Sequence, residues 1–174
     1  IPARGGSKSV PRKNIALLHG KPVIAYTIEA AQQSQLLTEF LVSSEDTEII
    51  KIAQDYGAPV PFIRPAELAT DTAPTLPVVQ HAVRGMEALK SITYDFIVLL
   101  QPTTPLRLAA DIDQAIEKLV STKADSVISV CDVGAYHPAR MRQIIDDRLI
   151  ELPIREPKEM LRRQDLPPVY IRNG

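Results

Sequence analysis

Cysteine is nearly missing from this chain of 174 residues: Cys131 stands alone, which excludes an internal disulfide framework and makes a reducing compartment, the cytoplasm, the expected setting. Cys131 lies in an apolar, strand-like run, so a buried and inert thiol is expected there. Long apolar runs are missing too. None approaches the roughly 20 residues that span a bilayer, and no signal-peptide core marks the start, so no membrane anchor is expected. Charge of one sign is also lacking. With 20 basic and 21 acidic residues the formal net charge is −1, which gives no nucleic-acid signature, while 45% hydrophobic residues suffice for one core.

What is present begins at once. Residues 1–14, IPARGGSKSVPRKN, place two glycines among Arg4, Lys8, Arg12 and Lys13 in a segment too polar for the inside of an element. Gly5 and Gly6 let main-chain N–H groups approach a ligand, and the cations repel one another until an anion sits between them. The stretch therefore reads as a phosphate-binding loop. It is not a P-loop, because Lys8 follows Ser7 at the wrong spacing, and it lacks the third glycine of a dinucleotide fingerprint. A solvated basic turn is the alternative, since Gly-Gly-Ser is ordinary turn chemistry.

Three ordered stretches carry a resemblance: IPARGGSKSVPRKN at 1–14, RPAELATDTA at 64–73 and LQPTTPLR at 100–107. Together they resemble the signatures of the acylneuraminate cytidylyltransferases, the CMP-sialic acid synthetases, over nearly the whole chain. The resemblance implies transfer of CMP from CTP to the anomeric hydroxyl of a sialic-acid-like nine-carbon sugar, with Mg2+ and release of pyrophosphate. Gly5, Gly6 and Ser7 would then offer main-chain donors to the triphosphate, Arg4, Lys8 and Lys13 would neutralise it, and Asn14 would orient the nucleotide. Arg64 and the main chain near Ala73 and Thr75 would read the cytosine ring. Gln101 would contact the sugar and Arg107 would line the site.

The implied fold is α/β, a Rossmann-like three-layer sandwich with a mainly parallel sheet and a protruding dimerisation arm. Its core would be residues 1–131 and its arm residues 132–172, with 173–174 returning to the core. Periodicity agrees with the alternation. Helices are expected at 22–34, with Ile24, Ile28 and Ala31 on one face, after Ser44 or Asp46 as a cap, along a stripe of Leu76, Val79, Val83 and Met86, and at 109–122. Strands are expected at 38–43, 60–63, 96–100 and 126–131. Arg64 stands where a strand gives way to a loop, the usual ligand position of an open parallel sheet. Ile1-Pro2 reads as the end of a buried strand, so the chain is expected to be cut at its start.

Several residues carry plainer expectations. Asp71 and Thr72 read as helix caps ahead of Pro74. Glu45 stands where relatives often have aspartate and is assigned no role, and His137 beside Pro138 reads as a packed or surface side chain. Within the arm, the resemblance gives Arg140 and Arg163 to the sugar carboxylate, a partner that suits a planar guanidinium fork. It also implies a homodimer and places the metal-binding aspartates beyond residue 174. The alternatives are a cytidylyltransferase of eight-carbon keto-deoxy sugars, or a non-catalytic nucleotide-binding regulatory module.

Overall fold

A computed structural model of the chain describes residues 1–6, 10–152 and 162–173. Ser7 and Lys8, both expected on the triphosphate, lie outside the described residues. So does the side chain of Arg163. The described chain divides into two units, Ile1–Val127 and Ile128–Asn173, a boundary four residues ahead of the expected one.

The first unit is built on four helices. A short hairpin, β1 (Leu17–Leu18) with β2 (Lys21–Pro22), turns through His19 and Gly20 at φ of 49° and 77°, the left-handed pair that a type I′ turn demands. Pro22 then leads into α1 (Val23–Gln33), which buries Ile24, Ile28 and Ala31 as its periodicity predicts. Beyond α1 the chain is caught by Asp113, which accepts from the Ser34 hydroxyl at 2.5 Å and from the Gln35 and Leu36 amides at 3.1 Å. Helix α2 (Thr47–Asp55) is capped by Asp46, whose carboxylate accepts from the Glu48 and Ile49 amides, and ends at Gly57 with φ of 77°. Its Ile49 and Ala53 join Ala3, Ile24, Ile28, Val42 and Ala58 in the main core.

Helix α3 (Thr75–Lys90) corrects part of the expected stripe. Val78 and Met86 are buried, but Leu76 is 64% exposed because it falls in the first turn at the rim of the unit. Helix α4 (Ala109–Thr122) coincides with its expected limits and buries Ile112 against Ala30, Ala31 and Leu100.

The strand segments are less regular than the sequence suggests. Ser43 donates to the Ile1 carbonyl and accepts from the Ala3 amide, both at 2.9 Å, which is the register of a parallel pair. On the other side Val42 donates to the Pro59 carbonyl at 3.0 Å and the Arg64 amide to the Ser44 carbonyl at 2.9 Å. Residues 1–3, 42–44 and 59–64 thus run side by side. Among the described residues, however, the strand pairs that form ladders are all antiparallel, and residues 96–100 enter none.

In the second unit β3 (Val130–Asp132) pairs antiparallel with β6 (Tyr170–Arg172), and β4 (Arg142–Ile145) with β5 (Arg148–Glu151). This replaces the parallel strand expected at 126–131. Cys131 is exposed rather than buried, because β3 forms a two-stranded ribbon with its residues open to solvent.

Candidate functional site

Two cavities in the first unit differ in chemistry. One of about 550 Å³ lies between α3 and the segments 36–41 and 92–100, walled by apolar side chains such as Val78, Val79, Val83, Met86 and Phe96. The other, about 300 Å³, is walled by polar groups from four separate stretches: Arg4, Gly6, Lys13 and Asn14; Arg64; Thr70, Asp71, Ala73 and Thr75; and Gln101 with Thr103. Convergent polar groups mark the second as the candidate site. Every one of those stretches except 70–75 leads out of or into a strand-like segment, the place where open α/β sheets hold ligands.

The glycine loop rests on the start of α2. A methyl built on Gly5 would fall 2.2 Å from Asp46 Oδ2, so only glycine permits this seat. The Gly5 amide donates to Glu45 Oε1 at 2.7 Å. It is therefore turned to the protein, not to the cavity, which leaves Gly6 as the described glycine that lines it. Arg12, at φ of 54°, donates to both oxygens of Asp46, at 2.5 and 3.0 Å, and to Glu48. That hydrogen bond from Arg12 holds the Asp46 carboxyl below the usual carboxylate range. Asn14, nearly buried, donates its side-chain amide to the Arg4 carbonyl at 2.9 Å and so shapes the loop from within.

Arg4 reaches across the cavity mouth. Its guanidinium meets Asp71 Oδ1 at 3.0 Å and donates to the Thr70 carbonyl at 2.7 Å. Asp71 is thus an ion-pair partner of Arg4 and not a helix cap; the cap position of α3 belongs to Pro74.

Arg64 is 4% exposed. Its Nε donates to Ser43 Oγ at 3.1 Å, its Nη2 to the Ser43 carbonyl, and its Nη1 stands 4.0 Å from Glu45 Oε2. Burial lowers the pKa of this guanidinium and the Glu45 carboxylate opposes the shift. Ala73 and Thr75 lie on the same wall.

Gln101 lines the cavity from the end of the 96–100 run, but Arg107 does not. Arg107 turns back to hold the Gln101 carbonyl, at 3.3 and 3.4 Å, and burial lowers its pKa against the pull of Asp111. Its expected place in the lining is corrected to that of a brace behind Gln101. Arg140 belongs to the second unit. There His137 is packed: its Nδ1 accepts from the Ala139 amide at 3.2 Å, which puts the proton on Nε2, 3.1 Å from the Pro167 carbonyl.

The sequence reading assigned Glu45 no role, gave Asp46 only as a helix cap, which it is, and missed the contacts of Arg12 with Asp46 and Glu48 and the Arg4–Asp71 pair. A run of acids directly before a helix, Glu45-Asp46 and then Glu48, was the available signal, but it reads equally as ordinary cap chemistry.

The chain matches the family model described as Cytidylyltransferase over residues 1–172. It is 44% identical over 124 residues to the pseudaminic acid cytidylyltransferase of Campylobacter jejuni, covering 71% of this chain and 53% of that one. It is 41% identical over 134 residues to the CMP-N,N'-diacetyllegionaminic acid synthase of Legionella pneumophila, with 77% and 57% covered. With the N-acylneuraminate cytidylyltransferase of Escherichia coli it shares 39% over 149 residues, 84% of this chain and 33% of the other. The chain thus spans about half the length of the first two relatives. In three dimensions it resembles CMP:2-keto-3-deoxy-manno-octonic acid synthetase complexed with CTP, with a TM-score of 0.65 at 19% identity over 99% of this chain and 69% of that one.

Proposed function

The chain belongs to the cytidylyltransferase family, and on that premise we propose that it transfers CMP from CTP to the anomeric hydroxyl of a sialic-acid-like nine-carbon sugar. One observation carries the reading: the cavity that gathers Arg4, Gly6, Lys13, Asn14, Arg64, Ala73, Thr75 and Gln101 from four separate stretches. Each stretch brings one part of the chemistry. The cationic loop takes the triphosphate, Arg64 and the main chain at 73–75 take the cytosine edge, and Gln101 takes the sugar.

In this mechanism the sugar hydroxyl oxygen bonds to the α-phosphorus and gives up its proton to solvent while the α–β bridge bond breaks, and pyrophosphate leaves. Negative charge grows on the phosphoryl oxygens, so cations already in place stabilise the transition state more than the ground state. Arg4 and Lys13 supply that charge among the described residues, with Lys8 beside them in the sequence. A magnesium ion would be the usual companion of such a triphosphate. Among the described residues no cluster of three His, Cys, Asp or Glu side chains could hold one, and the acid in the cavity lining, Asp71, is paired with Arg4. These described residues do not by themselves fit a metal site.

Relatives at 39 to 44% identity are named for nine-carbon sugars, which favours that class over the eight-carbon one. Arg140 and Arg163 are the proposed partners of the sugar carboxylate. We place the protein in the cytoplasm as a homodimer; among the described residues no helix is long and apolar enough to cross a membrane. The test is pyrophosphate release by the purified protein with each of the four nucleoside triphosphates and with sialic, pseudaminic, legionaminic and eight-carbon keto-deoxy acids. Release with CTP and one nine-carbon acid is expected. Nucleotide binding without release for any sugar would instead support a regulatory module.

A further inference from the structure

The side chain of Glu45 does not line the cavity but stands against two parts of the protein that lead into it, the glycine loop and Arg64. One carboxylate oxygen accepts from the Gly5 amide at 2.7 Å, and the other faces Arg64 Nη1 at 4.0 Å. That second oxygen is buried and has no hydrogen-bond partner among the described residues, so its principal neighbour is the guanidinium itself. An unpaired buried carboxylate oxygen is costly, and so is a buried guanidinium without a counter-charge; each offsets the other here.

We infer that Glu45 is a positioning residue that sets both the phosphate loop and the base-reading arginine, through Gly5 on one side and Arg64 on the other. The inference rests on the nucleotide-binding reading of the cavity. Fixing the Gly5 peptide fixes where Gly6 enters the cavity one residue later. Arg64 is held on its other edges by Ser43, through Nε and Nη2, so Glu45 completes the frame that aims Nη1. Carboxylate geometry suits this double task, because two oxygens about 2 Å apart can serve two donors at once while a single charge balances the arginine.

The two contacts can be separated by substitution. Glu45→Gln keeps an oxygen for the Gly5 amide but sets an NH2 group, or no charge at all, against Arg64. Glu45→Ala removes both contacts. Isothermal titration of the purified protein with CMP and with CTP reads the two effects, because CMP carries the base and CTP adds the phosphates that the loop would hold. With Glu45→Gln, both affinities should fall by a similar factor of about 3 to 10, the loss of one buried polar contact. With Glu45→Ala, CTP should lose about a further 5- to 10-fold that CMP does not, the loss of the Gly5 hydrogen bond.

Wild-type affinity for both nucleotides in both variants overturns the inference. So does a lowered melting temperature with CMP and CTP weakened by one common factor in both variants, which is the mark of a merely structural residue. A wild-type protein that fails to bind CTP overturns the proposed function itself, and that result is read in the first titration, before any variant.

Discussion

Arg4, the cation expected on the triphosphate, is engaged by the protein's own anion: Asp71 at 3.0 Å, with the Thr70 carbonyl at 2.7 Å. Both side chains are about one-third exposed, so the pair is worth no more than roughly 1 kcal/mol. A triphosphate must break it. Asp71→Asn should therefore tighten CTP binding by about two- to fivefold, the equivalent of that pair. Arg4→Ala should weaken binding or slow turnover by about 10- to 150-fold, because a charge-assisted bond to phosphate contributes about 1.5 to 3 kcal/mol. In the double variant the gain from Asp71→Asn should vanish, and titration calorimetry on the four proteins checks the cycle. An unchanged CTP affinity in Arg4→Ala would return the loop to the class of solvated basic turns. The cations of the loop stand out in the sequence as four like charges beside two glycines, but that pattern does not separate Arg4 and Lys13, which line the cavity, from Arg12, which braces the start of α2. Glu45 was not legible, because both of its partners are distant, Gly5 by 40 residues, and no local pattern announces a contact of that range.

At the scale of elements, Asp46 joins helix and loop. Its carboxylate accepts from the Glu48 and Ile49 amides at 3.0 Å and from Arg12. Because its folded pKa lies below the unfolded one, its contribution is fully present above the ordinary carboxylate value of about 4 and is lost as pH falls through the folded value. Thermal melts from pH 6 down to pH 2.5 should show the wild type losing stability in that window, with a shallower slope in Asp46→Asn. Asp46→Ala should cost more at neutral pH, about 1 to 2 kcal/mol for the cap, before any loss from Arg12. Identical slopes in wild type and Asp46→Asn would show that the pair contributes nothing. The helices were the legible elements: α1, α2 and α4 fall where cap residues and a 3.6-residue period put them. The strands were less so. An apolar run such as 96–100 has the composition of a central strand, but a ladder needs partners, and among the described residues this run has none; Phe96 and Ile97 remain half exposed.

At the scale of the whole molecule the second unit raises a question of burial. Its hairpin of β4 and β5 carries an apolar pair on each face. Ile144 sits opposite Leu149 on one, and Ile145 and Ile150 lie on the other. Ile144 and Leu149 are 74% and 72% exposed, and the others are also open to solvent. The turn adds strain, since Asp146 and Asp147 take φ of 48° and 60° where asparagine and glycine are at ease. A lone two-stranded hairpin is at best marginal in water. Four large aliphatic side chains on so short a ribbon are better explained by a surface that becomes buried, and a second copy of the chain is the partner the proposed homodimer supplies. A two-fold axis would set the same patch against itself, so each apolar residue acts twice. Light scattering at micromolar concentration should report a dimer for the wild type. Ile144→Asp together with Leu149→Asp should shift it to a monomer with its helical circular dichroism intact, because the four helices lie in the other unit. A wild type that scatters as a monomer at that concentration would remove the dimer from the proposal and leave the apolar hairpin without its assigned partner.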